Sequence, residues 1–123
     1  MRYVFVSISG VPYAKSKSGG DRQAPQRWTE AVIDQTKGLP QVSEACLLRT
    51  TFLLPPDKFP SDFPHGPDLD NLLKRLLDAL NKTIFRDTPG GDSCVISLIA
   101  MKTRVESAEE AGVHLEILPI SIH

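Results

Sequence analysis

Asp68-Leu-Asp-Asn-Leu-Leu-Lys-Arg-Leu-Leu-Asp-Ala-Leu80 is the stretch from which the fold can be read. Its apolar positions Leu69, Leu72, Leu73, Leu76, Leu77 and Leu80, continued by Ile84, recur at i, i+3, i+4 and i+7. That spacing predicts an amphipathic helix from Leu69 onward, with one face on a core. Upstream, residues 55 to 67 hold five prolines in thirteen residues, together with Phe59 and Phe63. Proline lacks the backbone donor that helix and sheet require, so this segment is predicted as an extended arm that delivers the chain to Asp68. Phe59 and Phe63 are expected to bury against their own domain, in preference to contacting another molecule.

Further from the helix, strands take over. Ala45 to Leu54 is rich in β-formers and is closed by Pro55-Pro56, which predicts a strand. Near the start, Val4, Val6 and Ile8 alternate with Phe5, Ser7 and Ser9, the period of two of another strand. Between these two, Pro25 to Lys37 reads as a short helix with Trp28, Ala31, Val32 and Gln35 on one face and Gly38 just past its end. Trp28 is expected to anchor the core. Beyond the turn-rich Asp87-Thr-Pro-Gly-Gly-Asp92, two final strands are predicted over Val95 to Val105 and around Val113, Leu115 and Ile117, with Glu106 to Gly112 as the hairpin loop joining them. The order β-α-β-α-β-β predicts an α+β fold, a mixed α/β sandwich in which a small, mostly antiparallel or mixed sheet carries two helices on one side.

At 123 residues the chain fits a single domain, residues 1–123. Its 41% hydrophobic and 24% charged content is that of a soluble globular protein, and no apolar run approaches the roughly 18 residues of a membrane span. Residues 1 to 10 lack the apolar core of a signal peptide, so a cytoplasmic location is expected. Cys46 and Cys94 stand apart from any CxxC or Cys/His spacing and are read as buried thiols, which excludes a zinc site and a cysteine nucleophile. His65, His114 and His123 form no constellation and receive no catalytic role.

The net charge of −1 is not the basic balance usual in nucleic-acid proteins. Charge is segregated, however: Lys15, Lys17, Arg22 and Arg27 face only Asp21 in their stretch, while Glu106, Glu109, Glu110 and Glu116 gather near the end. The Gly- and Ser-rich residues 10 to 24 are long for a loop in a small domain. They suit phosphate contact and a solvated loop equally well.

Asp68 and Asp70, two apart where the arm meets the helix, point their carboxylates the same way in an extended chain and are able to share one cation. Hard oxygen donors suit Mg²⁺, commonly held by one or two carboxylates plus substrate phosphate oxygens. Taken alone, either aspartate is accounted for as a helix cap worth about 1 kcal/mol. Lys74, four residues after Asp70, falls on nearly the same helical face and within reach of a bound phosphate.

The longer string Asp68-Leu-Asp70-Asn71-Leu-Leu-Lys74-Arg-Leu-Leu-Asp78-Ala79-Leu80, followed by Asp92-Ser-Cys-Val95, resembles the RusA-like Holliday junction resolvases, the crossover junction endodeoxyribonucleases. The likeness is carried by residues 67 to 95 and is topological elsewhere. It implies a homodimer that binds four-way DNA junctions and introduces paired nicks, with a two-fold dimer matching the symmetry of the junction. It also implies Asp68, Asp70 and a third carboxylate as Mg²⁺ ligands and Lys74 as the catalytic or phosphate-contacting cation; with such a site, the basic Lys15, Lys17, Arg22 and Arg27 of the 15 to 27 stretch are expected to position DNA. Asn71 would support the site, and Asp78 would hold Lys74 through a same-face pair. Asp92 is chosen as the third carboxylate because it leads into a strand as Asp-x-x-Val. Asp87, beside Arg86, is the other candidate, as a ligand, a supporting group or a turn residue. The competing functions are a non-catalytic DNA-binding dimer of the same fold and a nuclease of other branched DNA.

Overall fold

The computed structural model describes residues 4–14, 23–59 and 66–121. Four strands and two helices follow in the order β1 (Val4–Ser9), α1 (Ala24–Thr36), β2 (Cys46–Leu54), α2 (Leu69–Leu80), β3 (Val95–Arg104) and β4 (Gly112–Pro119). The strands form one mixed sheet in the order β1-β4-β2-β3. β4 runs antiparallel to both β1 and β2, and β3 runs parallel to β2. This is the α+β architecture that the sequence predicts.

Alternation along the strands decides which face takes the helices. Val4 and Ile8 of β1, Leu48, Phe52 and Leu54 of β2, and Val113, Leu115 and Ile117 of β4 are all buried, at 3% exposure or less. Residues of the other parity, such as Phe5, Arg49 and His114, line the open face. Trp28 and Val32 of α1 and Leu72, Leu76 and Leu80 of α2 complete a single core, as the apolar spacing of both helices requires. Ile84 lies just past α2 and is fully buried as well. At the far end of the helices, buried Thr36 donates to Val32 O and shares a 2.7 Å hydroxyl contact with Thr83, which locks α1 to the turn after α2.

Gly112 opens β4 where a Cβ would collide with the carbonyl oxygen of Ile8, so only glycine lets β1 and β4 approach there. On the open face the same two strands are joined by a 2.8 Å contact between Ser7 Oγ and His114 Nδ1.

Three expectations change. Residues 106 to 112 are not a hairpin loop, because β2 lies between β3 and β4, and Gly112 already belongs to β4. A strand that returns through a helix prefers to lie parallel beside its predecessor, and β2-α2-β3 follows that preference. Gln35 is exposed and outside the core face; it donates to Ser9 O and accepts from Ser9 N, both at 2.9 Å, which fastens α1 to the end of β1. Cys94 is only half-buried and sits in a 3-10 turn, Gly91–Cys94, ahead of β3. Cys46 is buried, and burial, reinforced by the neighbouring Cys94, pushes its thiol up to about 12. A thiol held that far above neutrality is a poor nucleophile.

Candidate active site

Asp68 stands at the N-cap of α2 in extended backbone, φ −64° and ψ 137°, and its side chain makes no capping hydrogen bond. The common structural use of an aspartate at this position is therefore not in force, and the carboxylate is exposed. Asp70 lies in the first turn, also exposed, where a negative charge is favoured by the helix dipole. Lys74 is exposed one turn further along, and Asn71 is half-buried between them. Two oxygen donors side by side with a lysine beyond them form a set suited to Mg²⁺ and a phosphate.

The approach to Asp68 is fixed by backbone sterics and by a cation. Gly66 has φ +81°, and a Cβ there would run into the carbonyl oxygen of Lys58. The next residue, Pro67, accepts a 2.7 Å hydrogen bond from Lys102 Nζ, and the same ammonium lies 5.6 Å from the centroid of the Phe59 ring. Phe59 in turn packs against the core, as expected for it. Lys58 lies 4.9 Å over the Tyr13 ring, and Tyr13, Arg27, Trp28, Asp57 and Lys58 line a cleft of about 510 Å³. Trp28 Nε1 is buried there without a hydrogen-bond partner. Arg75 of α2 donates to the carbonyls of Ala14 and Pro25 and to Thr29 Oγ1, binding α2 to the segment after β1 and to the start of α1.

The remaining carboxylates lie elsewhere. Asn81, the C-cap of α2, donates from Nδ2 to Asp92 Oδ2 at 2.8 Å, so Asp92 sits at the opposite end of the helix from Asp70. Asn81 lies eleven positions beyond Asp70, a rise of about 16 Å along the helix. Asp87 is at the same far end, exposed, beside Arg86 at 3.4 Å, with its backbone N–H on Gln41. Mg²⁺ holds its oxygen ligands at roughly 2.1 Å, so neither residue shares an ion with Asp68 and Asp70 of its own chain. Accordingly, no cluster of three or more His, Cys, Asp or Glu side chains placed to hold a metal occurs among the described residues. Asp78 is exposed and lines a small cleft with Thr29, Arg75 and Lys82; among the described residues no ion pair joins it to Lys74.

Of the cations assigned to DNA, Arg27 is exposed on α1 and lines the cleft, whereas Lys15, Lys17 and Arg22 lie outside the described residues, as do Phe63, His65 and His123. Lys58, Arg75 and Lys102 escaped the sequence reading. Lys102 lies 34 residues beyond Asp68, and only the parallel β2–β3 register, which sets it level with Phe52, carries it to this end of the sheet. Lys102→Ala removes one charge-assisted hydrogen bond, worth roughly 1.5–3 kcal/mol, from the arm that positions Asp68. Amide exchange at Asp68 and Leu69 is expected to quicken about 10-fold, with an unchanged far-UV circular dichroism spectrum; wild-type exchange rates would show the arm to be held without it.

A family model described as endodeoxyribonuclease RusA matches residues 22–118, from just before α1 to the penultimate residue of β4. A search of curated proteins gave no match. No helix among the described residues is long and apolar enough to cross a membrane.

Proposed function

The chain belongs to the RusA endodeoxyribonuclease family of Holliday junction resolvases, and from that membership we propose a Mg²⁺-dependent homodimer that resolves four-way DNA junctions by paired nicks. The observation that carries the reading is the Asp68 carboxylate, left free of its capping role beside Asp70 at the head of α2.

Asp68 and Asp70 would hold the ion, which would supply Lewis-acid polarisation of the scissile phosphate and activation of a water. Lys74 offsets negative charge on the phosphate as it builds in the transition state. Lys58, Lys102 and Arg27, with Lys15, Lys17 and Arg22, take phosphates on either side and fix the strand in register. Because Asp92 is a helix length away from Asp68 within one protomer, its role as third ligand falls to Asp92 of the partner subunit. Asn81, which donates to Asp92 at 2.8 Å, then orients a ligand rather than stabilising a turn. On that basis Asn81→Ala is expected to weaken cleavage by about 10–100-fold, as loss of a ligand's outer partner does, with rescue by raised Mg²⁺. A loss that Mg²⁺ does not rescue would assign Asn81 to the turn alone.

The function is tested by incubating the protein with synthetic four-way junctions and linear duplexes, in Mg²⁺ and in EDTA. Paired nicks in opposing strands of the junction, absent in EDTA, are the expected result. Tight binding without cleavage at any Mg²⁺ concentration would instead make it a binding module, and equal cutting of linear duplex would remove junction selectivity.

A further inference from the structure

Where the end of β1, the start of α1 and the end of β2 come together, the chain leaves the cleft of about 510 Å³ whose walls include Tyr13, Trp28, Pro55, Asp57 and Lys58. A smaller hollow of about 140 Å³ lies beside it, walled by Pro12, Ala14 and Pro67 and sharing both Tyr13 and Lys58 with the first. The two meet at that pair of side chains. Pro67 immediately precedes Asp68, so the joint trough begins one residue short of the carboxylates at the head of α2 and runs past the Tyr13 ring into the larger cleft.

The lining selects the occupant. A seat for phosphate alone is built from cations and backbone N–H groups. Here aromatic and apolar groups dominate the walls, and the Asp57 carboxylate among them would repel an anion. Trp28 is buried in the wall, and its Nε1 has no hydrogen-bond partner among the described residues, which leaves a donor for an acceptor to satisfy. A Cβ on Gly10 would stand 3.1 Å from the Trp28 ring, so glycine keeps that ring clear. Flat apolar faces with a donor and a carboxylate acceptor between them suit a nucleobase, which offers a π-face for stacking and both acceptors and N–H donors on its edge. Lys58 sits 4.9 Å over the Tyr13 ring, at the point where the two hollows join.

We propose that this cleft receives the base of one nucleotide beside the scissile phosphate, unstacked from the junction and laid against Tyr13, while Lys58 meets the phosphate of that nucleotide. Taking a base out of the stack costs least where stacking is already interrupted, as it is at the centre of a four-way junction. The cleft therefore favours branched over continuous DNA, and Tyr13 and Lys58 are positioning residues for the strand that Asp68 and Asp70 act on.

This role rests on the junction-resolvase reading above, and the test separates the two. Nick positions are mapped in Mg²⁺, and the nucleotide on each side of the nick is replaced in turn by an abasic site. Junction affinity is then measured in EDTA for wild type and for Tyr13→Leu, which keeps apolar bulk and removes the ring. At one of the two positions the abasic site is expected to weaken wild-type binding by about 5-fold or more, the usual effect of losing one stacked base. Tyr13→Leu should be weaker to a similar degree on the intact junction and lose nothing further at that abasic site, because base and ring are then one interaction. Losses that add, or wild-type affinity undiminished at both positions, overturn the cleft. Should Tyr13→Leu not fold, the unmodified protein decides: 5-iodouracil at the same positions is expected to photocrosslink to Tyr13, and crosslinking only outside the cleft, or none, overturns it. A protein that binds and nicks junctions while failing these tests keeps its function and loses the cleft, whereas one that neither binds nor nicks them overturns both.

Discussion

Asp70→Asn is expected to lower junction cleavage in Mg²⁺ by at least about 100-fold, since losing even an outer partner of a metal ligand costs 10–100-fold. The substitution keeps the size and one oxygen of the side chain but removes its charge, and a hard dication discriminates on charge. Folding is expected to survive. Asp70 is exposed in the first turn of α2, where its charge contributes about 0.3–1 kcal/mol through the helix dipole. The melting temperature should therefore fall by no more than roughly 4 °C. Asp34→Asn, which removes an exposed carboxylate from the other helix, is the control and should cleave at the wild-type rate. Cleavage by Asp70→Asn within threefold of wild type would reduce Asp70 to a helix-start residue and take the metal site from the head of α2.

Phe52→Ala is expected to destabilise the protein by about 3–5 kcal/mol, the usual result of emptying a buried aromatic site. Phe52 is fully buried on β2, an interior strand paired on both edges, facing the layer of α1 and α2. Neighbours on both sides are held by the sheet, so the cavity has little freedom to collapse. Against a total stability of about 5–15 kcal/mol, this is a large fraction. Thermal unfolding should shift down by roughly 10–20 °C, and urea unfolding should show a lower midpoint at unchanged slope. A shift under 3 °C would mean that the two layers repack freely around position 52.

Repeating apolar spacing made most of the fold legible. α2 was readable because six leucines recur on a helical period, and β1, β2 and β4 because their buried residues alternate. What the pattern does not encode is which strands become neighbours. Val95 to Arg104 reads as a strand whether it pairs with β4 or β2, and its exposed apolar residues on both faces give no alternation to choose by. The hairpin expected at residues 106 to 112 failed for that reason.

The site divides in the same way. Asp68, Asp70 and Lys74 are close in sequence, so helix geometry alone gathers them. Asp92 is brought beside Asn81 by the turn after α2, and Lys102 beside Pro67 by sheet register. Both placements depend on contacts between distant segments. Arg75 was hidden by its place in a helix rich in charge; nothing in its spacing distinguishes it from a solvated side chain, yet it spans three partners.

The position of β4 also governs how the protein comes into being. Among the described residues β4 comes last in sequence but is an interior strand of the sheet, paired with β1 on one edge and β2 on the other. On a growing chain, β1 therefore has no strand partner until some hundred residues later, when Gly112 to Pro119 has been made. Until then the α2 unit with β2 and β3 can form, but the sheet has a gap where β4 belongs. Pairings of such long sequence separation are slow to close and leave apolar edges open in the meantime. The sheet thus becomes whole only once β4 has been made and has taken its place between β1 and β2.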